Sequence, residues 1–198
     1  MMQKFKSGVN MIQETILNGI PTGELAYSME TVQDKPQSGK FTFRAKTKWQ
    51  NGANCRTEIK DFDVADEPDT SRTNTHTIEA DEPPCLLGTD HGANATEALL
   101  HALGSCLNAA FIYHATAQGI KIEELQVDLQ GDLDVAGFLG VNENVRNGYE
   151  HIDVNFKVKS NAPSEQIEKL CKTAQQRSPV FDIVTHPVDV SVNLEKIS

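Results

Sequence analysis

The sequence predicts an α+β fold in which antiparallel strands pack on two helices, and three observations carry that expectation. Strands and helices follow one another as three strands, a helix, two strands, a helix and a last strand. Two segments, Leu125 to Leu133 and Ile152 to Val158, alternate apolar and polar residues as half-buried strands do. The segment from Asn94 to Gln118 is apolar on nearly every helical turn, so one sheet can hardly cover it and pairing with a second copy is the natural remedy.

Near the start, Val9, Ile12, Ile16 and Ile20 recur at helical spacing and Pro21 closes the run, which predicts a short amphipathic helix followed by a polar linker. Residues 1–38 are thus expected to form an appendage and residues 39–198 one domain, a size that a single core supports. Phe41, Phe43, Ala45, Thr47 and Trp49 alternate with polar residues, Asn51-Gly52 marks a turn, and a second strand is expected from Cys55 to Phe62. A third strand is expected from Thr75 to Ala80, before the stiff Asp81-Glu82-Pro83-Pro84 bend. The acidic stretch from Asp61 to Asp69 reads as a solvated connection.

The long helix has Asn94 as N-cap, Glu97 three positions later in a capping-box arrangement, and Gly119 as its stop. The Gly137 to Gly148 loop carries Phe138 and Leu139 with no local core to receive them. A second helix starts near Pro163 or Ser164, places Ile167, Leu170, Cys171 and Ala174 on one stripe, and ends before Pro179. Val188, Val190, Val192 and Leu194 then predict a final strand.

Charge and composition exclude several function classes. A net charge of -10, with 28 acidic against 18 basic residues and no basic run, opposes binding to nucleic acid or to an anionic membrane. No stretch approaches the roughly 18 uninterrupted apolar residues of a membrane span, and the N-terminus is too polar for a signal-peptide core, so a cytoplasmic location is expected. The four cysteines, Cys55, Cys85, Cys106 and Cys171, form no CxxC pair and are expected to be reduced thiols. With His91, His101 and His114 they match no metal-ligand spacing, and no phosphate-binding glycine loop is present, so neither metal nor cofactor is expected.

Cys106 is the focal residue, because a thiol in the most apolar helix is either core filler or a buried nucleophile. At mid-helix the dipole gives it little, so a reactive thiolate needs a nearby cation, and Arg44, Arg56 and Arg72 are the candidates. At about 100° per residue, Leu99, Leu103, Ala110 and Tyr113 share the Cys106 face, whereas Glu97 and His101 point away and His114 lies to one side. Glu97 is then better placed to cap the helix than to reach the thiol, unless a dimer partner uses it. Gly104-Ser105-Cys106 lies inside a helix without the glycines of a nucleophile elbow, which disfavours a serine hydrolase. Cys171 reads as core packing.

Three segments, DEPPCLLGTDHGANATEALLHALGSCL, GDLDVAGFLG and QQRSPVFDIVTHPVDVSV, together resemble the OsmC-like superfamily, which includes the organic hydroperoxide resistance proteins. The resemblance covers Phe41 to Leu194, and the N-terminal helix looks like an addition found in one branch. It implies an OsmC-like fold in which antiparallel sheets wrap around two long central helices of an intertwined homodimer. It also implies a peroxiredoxin-like role in oxidative stress, with Cys106 as the peroxidatic thiol that becomes a sulfenic acid. In active members a second cysteine before a late proline resolves that acid, and this position is Ser178 here. The glutamate expected ten residues before the reactive cysteine is Thr96, with Glu97 displaced by one. Arg56 matches the thiolate-binding arginine approximately and Arg44 less well.

Regeneration would therefore fall to Cys171, Cys85 or an external thiol. Cys171 precedes Ser178 by two helical turns, roughly 10 Å of rise, which is too far to substitute for it directly. The function expected is a thiol-dependent organic hydroperoxide reductase that uses Cys106, Arg56 or Arg44, and an external thiol reductant. The alternative is a relaxed dimeric binding protein that holds a small apolar ligand near Cys106.

Overall fold

The computed structural model describes residues 15–197. Its chain contacts fall into two compact units that divide between Leu99 and Leu100.

The first unit opens with β1 (Ile16–Leu17) and β2 (Ile20–Pro21), joined by Asn18-Gly19, both with positive φ (52° and 79°) as a two-residue primed turn requires. The expected helix from Val9 to Ile20 begins outside the described residues, and its described end is this hairpin. Helix α1 (Thr22–Asp34) starts only after Pro21, whose backbone φ of -64° suits a helix entry, in the stretch expected to be linker.

The strand expected from 41 to 49 is broken at Arg44-Ala45 into β3 (Phe41–Phe43) and β4 (Lys46–Asn51), which belong to different sheets. Its partner is split in the same way, into β5 (Asn54–Ile59) and β6 (Phe62–Val64). Strand β4 turns into β5 through Asn51-Gly52, as the turn signal indicates, and β8 (His76–Ala80) completes the order β4-β5-β8. The acidic connection proves to contain structure. Strand β6 pairs with β7 (Glu67–Pro68) across Ala65-Asp66, both left-handed at φ 53° and 64°, a primed turn without the usual glycine. In this unit Phe41, Phe43 and Phe62 stack on one sheet face, yet Phe41 is 50% and Phe43 67% exposed.

Helix α2 (Ala95–Ala117) crosses from the first unit into the second and ends at Gly119, whose φ of 71° provides the left-handed stop. Strands β9 (Glu124–Asp132) and β10 (His151–Lys159) pair antiparallel over their full nine-residue lengths, with Val154 opposite Leu129 and Phe156 opposite Val127. Between them Asp134 caps a short helix α3 (Val135–Phe138) by accepting from the Ala136 N–H. Helix α4 (Ser164–Arg177) follows, then Ser178, then a further helix α5 (Pro179–Thr185). That last helix is unanticipated, and its signal is Ser-Pro: a hydroxyl N-cap followed by proline at the first helical position.

The core lies in the second unit. Leu103, Leu107, Phe111 and Ala115 recur every four residues along α2 as its buried stripe, and Phe111 and Ala115 meet Leu170 and Ala174 of α4, with the Phe111 ring 5.8 Å from that of Phe156. Each large side chain buried there contributes about 1.5–3 kcal/mol. Only this stripe of α2 is covered. The helix is long and apolar enough by length and composition to cross a membrane, and one stripe of it packs on α4 and β10. The final strand expected at 188–194 does not form. Residues 187–197 run as open coil.

Candidate functional site

Cys106 is partly buried on α2, one residue before Leu107 and three after Leu103, both buried. Of the residues expected on its face, Leu103 is buried while Leu99 and Tyr113 are 37% and 53% exposed. The thiol therefore stands on the seam between the packed stripe and the open flank of the helix, neither sealed in the core nor free in solvent. Two residues before it, Gly104 lets α2 approach β9 closely: a Cβ there would lie 2.7 Å from Leu129 Cδ1. On that face, about 200° round the helix from Cys106, α2 is thus held against the sheet by a contact that a larger residue would push apart.

The candidate cations all have partners in the first unit. Arg56 Nε lies 2.5 Å from Glu79 Oε1 on the neighbouring strand, and an Arg44 terminal nitrogen lies 2.5 Å from Asp63 Oδ2. Both arginines are about half exposed, so these are surface pairs of the weak, exchangeable kind. Arg72 sits over the Phe62 ring at 4.9 Å and donates to the Lys60 carbonyl at 3.1 Å. Glu97 is engaged as a cap: its Oε2 accepts from the Asn94 N–H at 2.9 Å while Asn94 Oδ1 accepts from the Glu97 N–H at 2.8 Å. Thr96 also donates to Asn94 Oδ1.

In the second unit, burial holds His114 below the usual imidazole range, and the charge of Arg177 lowers it further. Sequence reasoning passed over Arg177 because nothing in the local pattern brings α4's last turn to α2. Ser178 is 1% exposed and its Oγ accepts from the Phe181 N–H at 3.2 Å, so this serine serves as the N-cap of α5. Cys171 packs against the core and accepts a hydrogen bond from Gln175 Nε2 at 3.6 Å. It also borders a groove of about 440 Å³ with Leu107, Val154, Phe156 and Phe181. A second groove of about 400 Å³ runs along the other flank of α2, past His101, Ser105 and Asn108. Neither groove is lined by Cys106.

A second polar centre went unnoticed in the sequence. Asp81, 3% exposed, accepts from the Thr89 hydroxyl at 2.6 Å and from the backbone N–H groups of Glu82, Thr89 and His91. The Thr89 hydroxyl is the strongest influence, the backbone donors add to it against the cost of burial, and the carboxyl is held down at about 2. This ring closes the 81–91 loop that feeds α2. Gly88 and Gly92 press on it so tightly that a Cβ would come within 1.7 Å of the Glu82 carbonyl oxygen and 2.3 Å of that of Glu79. Among the described residues, no group of three His, Cys, Asp or Glu side chains could hold a metal ion.

Comparison with known proteins agrees with this architecture. No curated protein matches the sequence significantly. An OsmC-like protein from Mycoplasma pneumoniae shares the fold at 16% identity and a TM-score of 0.56, covering 74% of this chain and 89% of its own. A Legionella pneumophila structure described as the organic hydroperoxide resistance protein OsmC aligns at 17% identity and 0.52, covering 75% and 92%. A putative osmotic stress induced and detoxification response protein from Psychrobacter arcticus aligns at 17% and 0.52, covering 72% and 88%. The family model described as OsmC-like protein matches residues 88–193, more than half of the sequence, and the chain belongs to that family.

Proposed function

We propose that the protein is a thiol-dependent reductase of organic hydroperoxides in which Cys106 is the peroxidatic residue. The observation that carries this reading is the place of Cys106 on α2, partly buried next to the buried Leu103 and Leu107, neither sealed in the core nor fully open to solvent. The Cys106 thiolate attacks the outer oxygen of the hydroperoxide, the O–O bond breaks, and the alkoxide takes a proton and leaves as the alcohol. Sulfur is oxidised to the sulfenic acid. An external thiol condenses with that acid and releases water, and a second thiol reduces the mixed disulfide and restores Cys106.

A thiolate in apolar surroundings needs a cation. Arg56 is the first candidate and Arg44 the second, supplied across a homodimer. The Arg56 pair with Glu79 uses Nε, leaving terminal nitrogens that this pair does not engage. The exposed apolar residues Leu99 and Tyr113 on α2, and Phe41, Phe43 and Trp49 on the first unit's sheets, support such a dimer, since exposed apolar surface on this scale marks an interface. The negative charge and the OsmC-like family support a protein that works in solution on small molecules.

Stopped-flow reduction of cumene hydroperoxide with excess dithiol tests the reading. Turnover should vanish in Cys106→Ser and fall strongly in Arg56→Gln, and turnover unchanged by Cys106→Ser would overturn it. One observation favours a second reading, a dimeric carrier of a small apolar ligand: Ser178 is committed to capping and Thr96 to Asn94, so the family's resolving thiol and glutamate are both missing. Native mass spectrometry that reveals a retained ligand, together with an unreactive Cys106, would favour it.

A further inference from the structure

Cys106 has a candidate cation in its own unit. Helices α2 and α4 pack through Phe111 and Ala115 against Leu170 and Ala174, and Leu107 shares the groove of about 440 Å³ with Cys171, Gln175 and Phe181. Gln175 belongs to the last turn of α4 and Phe181 to the first of α5, so the junction of those helices runs beside the turn of α2 that carries Cys106 and Leu107. Arg177 and Ser178 make that junction. Ser178 is buried, while Arg177 is exposed.

Helical phase sets Arg177 and Cys106 on one flank of the helix pair. On α4, Cys171 and Gln175 lie about 60° and 100° to one side of the buried Ala174, where they line the groove with Val154 and Phe156, and Arg177 lies about 60° to the other. On α2, Asn108 and Ser105 lie about 60° and 120° to one side of the buried Phe111, along the β9 groove. His114, Ala110 and Cys106 lie about 60°, 100° and 140° to the other side. The charge of Arg177 acts on His114, which identifies the flank of α2 that it faces as the one leading through Ala110 to Cys106.

Arg177 also differs in its commitments. Arg44 and Arg56 are each held by a carboxylate, whereas Arg177 has no ion pair among the described residues. Asp182, the acid nearest to it in the chain, is paired with His186 at 3.2 Å. Few other charges face this flank. Lys172 lies about 160° from Ala174 and points away from α2, and His101 lines the β9 groove on the opposite side of the helix. The charged residues of β9 and β10 alternate with the apolar row that meets the helices, so they occupy the other face of the sheet.

We infer that Arg177 is the cation that holds the Cys106 thiolate within a single chain, its exposed guanidinium turning along the shared flank to the sulfur. Its planar fork of donors leaves N–H groups over for the oxygen that departs as alkoxide. The inference rests on Cys106 as the peroxidatic thiol and does not need the dimer through which Arg56 or Arg44 is supplied.

The test uses the full chain. Alkylation by iodoacetamide, read by mass at the Cys106 peptide, should run at least about tenfold slower at neutral pH in Arg177→Gln, with the rate profile moved to higher pH. Arg177→Lys should recover part of the rate, because it returns the charge without the planar fork. The kcat/KM for cumene hydroperoxide should follow the alkylation rate in both variants. By NMR, the His114 ring should titrate at higher pH in Arg177→Gln than in the parent, which reports a folded variant and the loss of the charge from this flank. A basic residue that only complements the carbonyl end of α4 predicts a lower melting temperature and an unchanged alkylation profile, and that result would overturn the inference. A profile moved by Arg56→Gln and not by Arg177→Gln would also overturn it, while leaving the peroxidase reading intact. Turnover that survives Cys106→Ser would overturn that reading and the inference with it.

Discussion

Asn94 and Glu97 hold each other across the first turn of α2, each side chain accepting the other's backbone N–H, at 2.8 Å and 2.9 Å. The reciprocity decides what Glu97 does in this chain. A capping box needs an acceptor oxygen and no charge, whereas a carboxylate that positions a catalytic group needs its charge. Glu97→Gln should therefore keep both melting temperature and hydroperoxide turnover close to the parent. Glu97→Ala should cost about 0.5–2 kcal/mol of stability, read as a shift in the denaturant midpoint, with turnover per folded molecule unchanged. A large loss of turnover in Glu97→Gln at unchanged stability would instead place the carboxylate in the chemistry.

Asp81 makes a second prediction, this one in pH. Its folded carboxyl titrates at about 2 against 3.8 for the ordinary group, so the unfolded chain binds the proton more readily. The stability that the ring of donors contributes is then fully present above about pH 4 and is lost as pH falls from there toward 2. Thermal unfolding followed between pH 6 and 2 should show this loss in the parent and a shallower one in Asp81→Asn, which begins less stable at neutral pH. Thr89→Val should raise the carboxyl toward its ordinary value, since the Thr89 hydroxyl is the first of its partners.

The glycines of the two units separate by what a methyl group would meet. At Gly104 the obstacle is Leu129 Cδ1, the end of a side chain that can rotate, at 2.7 Å. Gly104→Ala should therefore fold, lose about 1–3 kcal/mol, and recover part of it in combination with Leu129→Val. At Gly88 the obstacle is the Glu82 carbonyl oxygen at 1.7 Å, which only a backbone shift removes. Gly88→Ala should be the more damaging change and should unravel the Asp81 ring, seen as loss of amide protection at Thr89 and His91.

How much of this was legible in the sequence follows from the range over which each signal acts. Local signals read well: Asn94 with Glu97 and Gly119 bounds α2 to within a residue, and the alternation in 125–133 and 152–158 locates β9 and β10. Errors arise where the decisive partner is distant. Phe41 to Trp49 alternates without a break, and only the pairing of its two halves with different strands, β6 and β5, reveals the bend at Arg44-Ala45. Ala65-Asp66 turns without glycine, and Asn18-Gly19 lies inside a run whose isoleucines also fit a helix. The valines of 188–194 keep the pattern of a strand intact, but a strand is a relationship and the partner is not in the chain's described contacts. Around Cys106 the helical phase reads in part: Leu103 on the expected face is buried, while Leu99 and Tyr113 on the same face turn outward.

Ser178 gives the last prediction, because the serine that the resemblance sets at a resolving position is here a helix cap. Its Oγ caps α5 from a position 1% exposed, and sulfur is a poor acceptor for the Phe181 N–H. Ser178→Cys should therefore cost about 0.5–2 kcal/mol, the usual loss for a removed cap. If Cys106 is the peroxidatic thiol, the same substitution restores a resolving partner, and the sulfenic acid should collapse, with loss of water, to a disulfide between Cys106 and the introduced sulfur at position 178. That bond requires Cα atoms within about 7 Å, so its formation measures how nearly this chain keeps the family's active geometry. Intact mass after one equivalent of cumene hydroperoxide should show the variant lighter by about two hydrogens and the parent heavier by one oxygen. Peptide mapping should place the new bond between 106 and 178. Oxidation that adds an oxygen to Cys106 in both proteins, with no disulfide in the variant, would show that the serine is fixed by its cap in an orientation from which no thiol could resolve the intermediate.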